Sequence, residues 1–184
     1  LAKPLEMPHT DLMIDPYVLG VWLGDGTSRY PIITSADQQI VDEIRAAGYP
    51  CRPLKTRLQY SLAGDEKGVF INLLRELGVY RNKHIPQAYL RASFEQRLAL
   101  MQGLIDTDGT VSASSGRVSF EVTSRALAHG AYELAVSLGL NPRMRTRRVK
   151  GRTEESSTCY RVGFITDLPV ARLQRKLDLS LIHI

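Results

Sequence analysis

Two aspartates open the functional question. Asp25 stands in "VLGVWLGDG" (18–26) and Asp108 in "MQGLIDTDG" (101–109), segments that align without gaps, share Gly at the third position and close on Asp-Gly. Each acid falls at the C-terminal end of an apolar helical stretch, where the helix dipole is already negative and a carboxylate is unfavourable. If the two helices pack in parallel, both carboxylates and both negative ends converge, a concentration of charge that a cation relieves. Oxygen donors and a polar opening suit Mg²⁺, which takes one or two carboxylates together with water and phosphate oxygens. Such a site fits metal-assisted hydrolysis of a phosphodiester. One Asp-Gly reads as a turn; two aligned copies favour a site.

The elements that must position these acids are legible on either side of them. After each Asp-Gly comes a strand-like run ending in Thr-Ser, "PIITS" (31–35) and "RVSFEVTS" (117–124). Amphipathic helical stretches follow, closing at Gly48 and Gly139, then basic strands, then a last helix, "VFINLLRELG" or "LPVARLQRKL". The chain is therefore predicted to be α/β (α+β), with two pseudo-symmetric αββαββα halves forming a monomeric pseudo-dimer. Its expected divisions are a lead-in over 1–14, a first repeat with linker over 15–92 and a second repeat over 93–184. Asp15 before Pro16 predicts an N-cap with proline at the first helical position, and Ser93 with Gln96 predicts a capping box. Gly26 and Gly109 are expected in the left-handed conformation that ends many helices. Small residues recur every four positions, Gly20 and Gly24 in one motif helix and Ala99, Gly103 and Thr107 in the other. That spacing predicts a close helix–helix interface through Gly20, Gly24, Gly103 and Thr107.

Composition narrows the partners. The 184 residues carry a formal net charge of +5, with 43% hydrophobic and 23% charged residues, which favours a soluble protein with a polyanionic partner. No apolar run approaches the roughly 18 residues of a membrane span, and residues 1–9 lack a signal-peptide layout, so no membrane partner is expected and the location is expected to be cytoplasmic, at the bacterial nucleoid. Cys51 and Cys159 form no CxxC and read as reduced, packed thiols, while His9, His84, His129 and His183 show no metal-ligand spacing. The absence of a GxxxxGK[ST] loop argues against a phosphotransferase of the P-loop kind.

The basic residues lie on the strands. Arg143, Arg145 and Arg147 alternate, so they project from one face, and Lys55 and Arg57 are expected to do likewise in the first half. In "RVSFEVT", Val118, Phe120 and Val122 face one way while Arg117, Ser119, Glu121 and Thr123 face the other. One sheet face would be apolar under helices and the other basic, a saddle suited to the major groove of double-stranded DNA. Residues 142–152 hold arginine without a compensating acid, which favours DNA over a merely solvated face. Residues 149–156, with Lys150, are predicted to cap a mobile hairpin.

With these segments in view, "GLIDTDG" closely resembles the signature of LAGLIDADG homing endonucleases, and "LGVWLGDG" is similar to a diverged first copy. The two-copy spacing resembles the single-chain members. "RNKHIP" (81–86) resembles the lysine-containing block of intein-encoded enzymes, such as the inteins of bacterial replicative helicases in high-GC hosts. The resemblance implies Mg²⁺-dependent cutting of both strands of a long DNA target, leaving 3′ overhangs, with Mn²⁺ expected to serve as well. It implies Asp25 and Asp108 as metal ligands, beside Gly24 and Thr107, at two overlapping active sites. Lys83 and Lys176, each after the last helix of its repeat, are expected to support one site each, with Lys150 the rival for the second. Leu23 stands where the second repeat has Asp106, so Asp106 is expected to be auxiliary. The chain begins Leu-Ala-Lys and ends Ile-His-Ile, which reads as an endonuclease domain without the splicing residues of an intein. The alternative is a cleavage-inactive DNA- or RNA-binding regulator or maturase; the presence of both acids favours the nuclease.

Overall fold

The computed structural model describes residues 3–64, 68–148 and 158–181. The first half runs α1 (Pro16–Asp25), β1 (Ile32–Thr34), α2 (Gln38–Ala46), β2 (Arg52–Pro53), β3 (Gln59–Ser61) and α3 (Val69–Glu76). A single turn, α4 (Gln87–Leu90), leads into α5 (Phe94–Asp108), β4 (Gly109–Val111), β5 (Val118–Val122), α6 (Arg125–Ser137), β6 (Arg143–Arg148), β7 (Thr158–Phe164) and α7 (Gln174–Leu181). The halves repeat one another, except that the counterpart of β4 shrinks in the first half to one antiparallel bridge, Gly26 to Ile33. The sheets are antiparallel, ordered β1-β3-β2 and β4-β5-β7-β6.

Both motif helices start where the sequence places them. The Asp15 carboxylate accepts from the Val18 amide at 3.1 Å with Pro16 following, and Ser93 and Gln96 complete both bonds of a capping box. Gly48 and Gly139 adopt the left-handed conformation, φ +85° and +80°. Gly26 and Gly109 do not: they are extended, with φ −76° and −86°. Each motif helix therefore runs straight into its strand instead of reversing. Glycine is needed there for room, because a Cβ would lie 2.3 Å from the Trp22 carbonyl oxygen or 2.5 Å from that of Ile105.

The core forms around α1 and α5. Residues 16–23 of α1 are all buried, which explains why this helix is apolar on every side and has no polar face. In the second sheet, Val118, Phe120, Val162 and Phe164 are buried beneath the helices. The lead-in lies along α6 and the linker turn α4: the Leu5 amide donates to the Ser137 carbonyl at 2.9 Å and the Ile14 amide to the Tyr89 hydroxyl at 3.0 Å. The fully buried Arg97 guanidinium donates to the carbonyls of Ala92, Ser137 and Leu5, so its desolvation is offset by hydrogen bonds without a carboxylate. No helix among the described residues is long and apolar enough to cross a membrane.

Candidate active site and nucleic-acid interface

The small residues set where the acids go. A Cβ on Gly20 would lie 2.4 Å from the Leu100 carbonyl oxygen, and one on Gly103 would lie 2.3 Å from that of Tyr17. One turn further on, a Cβ on Gly24 would meet the Thr107 hydroxyl at 2.0 Å. Contacts that advance in the same direction along both helices mean that α1 and α5 are parallel with their backbones touching. Their C-termini therefore share one end of the molecule, and Asp25 and Asp108 emerge there together, both half-buried. Burial and then the charge of Asp108 push the Asp25 carboxyl up to about 6, with Lys83 and Lys176 partly offsetting. Burial also raises the Asp108 carboxyl, against the pull of the same two lysines.

The lysines cap the two helices from behind the acids. Lys83 Nζ donates to the carbonyls of Gly24 at 3.0 Å and Gly26 at 2.6 Å and lies over the Trp22 ring. Burial lowers its pKa to about 8, opposed by Asp108 and Asp25. Lys176 lies in the first turn of α7, not after its repeat's last helix as expected, because that helix starts only at Gln174. It is buried, and its Nζ donates to Ile105, Asp106 and Gly109 at 2.6, 2.9 and 2.7 Å. An ammonium has three donors, so Lys176 is saturated and Lys83 keeps one. The Gly24 carbonyl is thus engaged by Lys83, and the Thr107 hydroxyl donates to its own helix at Gly103 and Leu104.

Asp106 has a different task from its neighbour. Its buried carboxylate accepts from the Tyr17 hydroxyl at 2.9 Å and from the amides of Arg172 and Leu173 at 3.1 Å. It pins the segment entering α7, and with it Lys176. In the first half the buried Leu23 fills the equivalent place, so Lys83 has no such clamp.

A stability difference follows. Lys176→Met removes three buried hydrogen bonds, although the Ile105 carbonyl keeps the Gly109 amide, and should cost about 2–4 kcal/mol; Lys83→Met, at a partly exposed site with two bonds, should cost clearly less. Thermal melts in EDTA test this, and a Lys176→Met protein melting with wild type would refute the capping role.

On the second sheet the expected basic face forms. Arg117, Arg143 and Arg145, with Ser119 and Gly163, line a shallow recess of about 230 Å³. Arg161 joins them; it alternates with Cys159 and Gly163 along β7, and the face test applied to residues 117–123 would have found it. Arg145 stands directly across from Arg161, and a carboxylate on β5 relieves the like charges that would otherwise face each other.

Arg147 lies on this face but is not free of acids. Glu121, from β5, binds it at 2.8 Å and also binds Arg161. A window along one strand cannot see an acid arriving from another.

Lys55 and Arg57 are a further correction. They are exposed in the turn between β2 and β3, not on alternate positions of a strand. The Leu54 amide makes the last bond across to the Gln59 carbonyl, at 2.9 Å, and Leu58 closes the turn at φ 63°. Lys150 and the loop 149–156 lie outside the described residues. Among those described, no group of three or more His, Cys, Asp and Glu residues is placed to hold a metal, which leaves the two-acid site as the candidate.

Comparison with known proteins bears on the fold and the family. Residues 95–177 match the family described as LAGLIDADG-like domain. The chain is 42% identical over 175 residues to the replicative DNA helicase DnaB of Mycobacterium intracellulare, covering 95% of this chain and 28% of that protein. It is 25% identical over 167 residues to the homothallic switching endonuclease of Saccharomyces cerevisiae, covering 73% of this chain and 28% of that protein. The chain thus spans little more than a quarter of the length of these relatives. Among solved structures it is similar to mesophilic variants of the homing endonuclease I-DmoI, with a TM-score of 0.53 and 14% identity, covering 91% of this chain and 94% of that one. It is also similar to I-DmoI in complex with DNA and Ca, with a TM-score of 0.53 and 14% identity over 89% of this chain and 85% of that one. At such identities the likeness is one of fold.

Proposed function

We propose that this chain, whose residues 95–177 match the LAGLIDADG-like family and whose fold is similar to that of a homing endonuclease, is a site-specific DNA endonuclease that cuts both strands of a long duplex target and leaves 3′ overhangs. The observation that carries this reading is the convergence of two half-buried carboxylates at the shared end of two parallel helices, beside a sheet whose open face is lined with arginine. Both acids come from one chain, so a monomer would complete the site.

The donor set suits a hard divalent cation: carboxylate oxygens at two negative helix ends. Mg²⁺ held by Asp25 and Asp108 would supply an activated water and neutralise charge on the phosphate, and Mn²⁺ would fit the same oxygens. Asp25 and Asp108 would hold that charge against the two scissile phosphates. Lys83, which lines a recess with Gly24 and Asp108, has a donor left for a phosphate oxygen or the attacking water. Lys176 would act through its charge and by fixing the end of α5. Lys83→Met should therefore slow cleavage far more than it weakens binding.

The test is incubation with DNA carrying candidate intein insertion sites, with Mg²⁺ or with EDTA, and mapping of the ends. Cutting of both strands at one site, only with the metal, is expected. Binding without cutting would instead identify a regulator or maturase of the same fold.

The arginine face makes its own prediction. Replacing Arg143 or Arg145 with Ala should lower the log–log salt dependence of DNA affinity by about 1 each if each meets a phosphate. Replacing Arg147, whose charge is already paired, should lower it less. Fluorescence anisotropy across a salt series reads this out, and an unchanged slope in the Arg143→Ala, Arg145→Ala double variant would move the DNA to another face.

A further inference from the structure

One carboxylate stands on the face proposed to meet DNA, where its charge opposes a polyanion. Glu121 Oε2 accepts from Arg147 Nη2 at 2.8 Å, and Oε1 accepts from both Nε and Nη2 of Arg161. Arg161 is its direct cross-strand neighbour on β7, whereas Arg147 is on β6, beyond Cys159. The small Cys159 side chain leaves the path across β7 open, and its thiol lies 3.5 Å from Glu121 Oε2. The two guanidinium groups hold the Glu121 carboxyl below the ordinary glutamate range, so it stays ionised. No such partner exists for Arg117, Arg143 or Arg145 among the described residues.

The pairing changes what these arginines can do. A free arginine on a flexible stem binds any phosphate it reaches. An arginine pinned along one edge offers its remaining N–H groups in a set direction, which suits the paired acceptors O6 and N7 on the major-groove edge of guanine. Arg147 and Arg161 remain 62% and 51% exposed while Glu121 is 24% exposed, so their outer edges stay available. The carboxylate also repels phosphate, a device that trades general affinity for discrimination. Glu121 lines the same recess as Asp108 and Lys83, so the bases concerned would be those nearest the cut.

We infer that Glu121 is a specificity-determining positioning residue, which holds Arg147 and Arg161 to read base edges beside the cleavage position and penalises backbone contacts there. This rests on the DNA endonuclease reading above.

The test is selection of bound duplexes from a randomised DNA library by wild type, Glu121→Gln and Cys159→Leu, without metal. Affinities for the selected duplex and for a scrambled one follow, with thermal melts of each protein. Glu121→Gln should bind scrambled DNA about 3- to 10-fold tighter and lose at least about tenfold of its discrimination, concentrated at the base pairs nearest the cut, with little change in Tm. Cys159→Leu closes the path to Arg147 and should lose only part of that preference, which keeps the inference testable if Glu121→Gln folds poorly. Unchanged discrimination in both variants, or a loss spread evenly over the whole site, would overturn the inference. A wild-type protein that enriches no sequence would overturn the DNA reading itself.

Discussion

Asp25→Asn or Asp108→Asn should reduce double-strand cutting by roughly a thousandfold or more while leaving the protein folded and able to bind DNA in EDTA. The substitution keeps shape and removes charge. What is lost is the means of holding a cation; the fold loses nothing, because the charge at a helix C-terminus is unfavourable in its absence.

The sign can be checked against pH for Asp25, whose carboxyl is pushed up to about 6 from 3.8. A raised value means that the native state holds this proton more tightly than the unfolded chain does. The metal-free protein therefore loses stability from this group as pH rises from about 4 through 6. Asp25→Asn should recover about 1–2 kcal/mol at pH 8, after allowance for partial exposure, and nothing at pH 4. Divalent cations should raise the Tm of wild type but not of the Asp25→Asn, Asp108→Asn double variant. If each acid serves its own metal, a single variant should nick one strand; a shared metal makes each variant inactive on both. Full cleavage by the double variant would sink the proposed site.

Gly103→Ala should destabilise the protein by about 2–3 kcal/mol, a fall in Tm of roughly 5–10 °C for a chain of this size. Two effects oppose each other. Helix propensity favours alanine by about 1 kcal/mol. Against it, the new methyl would lie 2.3 Å from the Tyr17 carbonyl oxygen, 2.7 Å from the Val21 nitrogen and 2.9 Å from the Gly20 Cα. These atoms are backbone and cannot rotate away, so α1 and α5 must separate, and overpacking wins. Because the same interface brings Asp25 and Asp108 together, cleavage should fall with it. A variant that melts at or above wild type would mean that propensity, not backbone contact, governs this position.

The sequence alone determined the paired Asp-Gly helix ends, the four-residue spacing of small side chains, the caps at Asp15 and Ser93 and the two-fold repetition. Each is written in residue type and local period, and local hydrogen bonds or close packing enforce each of them. The face of the second sheet was legible for the same reason, through alternation along Arg143, Arg145 and Arg147.

Tertiary structure alone decided the rest. Asp106 sits two residues from Asp108, yet it is a buried clamp because the amides of Arg172 and Leu173 come to it from distant sequence. Lys176 is saturated and Lys83 is not, because the segments carrying them approach the helix ends differently. Lys55 and Arg57 fall in a turn because the chain reverses between the bonded Leu54 and Gln59, and Glu121 neutralises Arg147 because strand order sets only β7 between them. Periodicity says which side of an element a residue faces. Which charge meets it there depends on the order and packing of elements far apart in the chain, and that order appears only when the core closes.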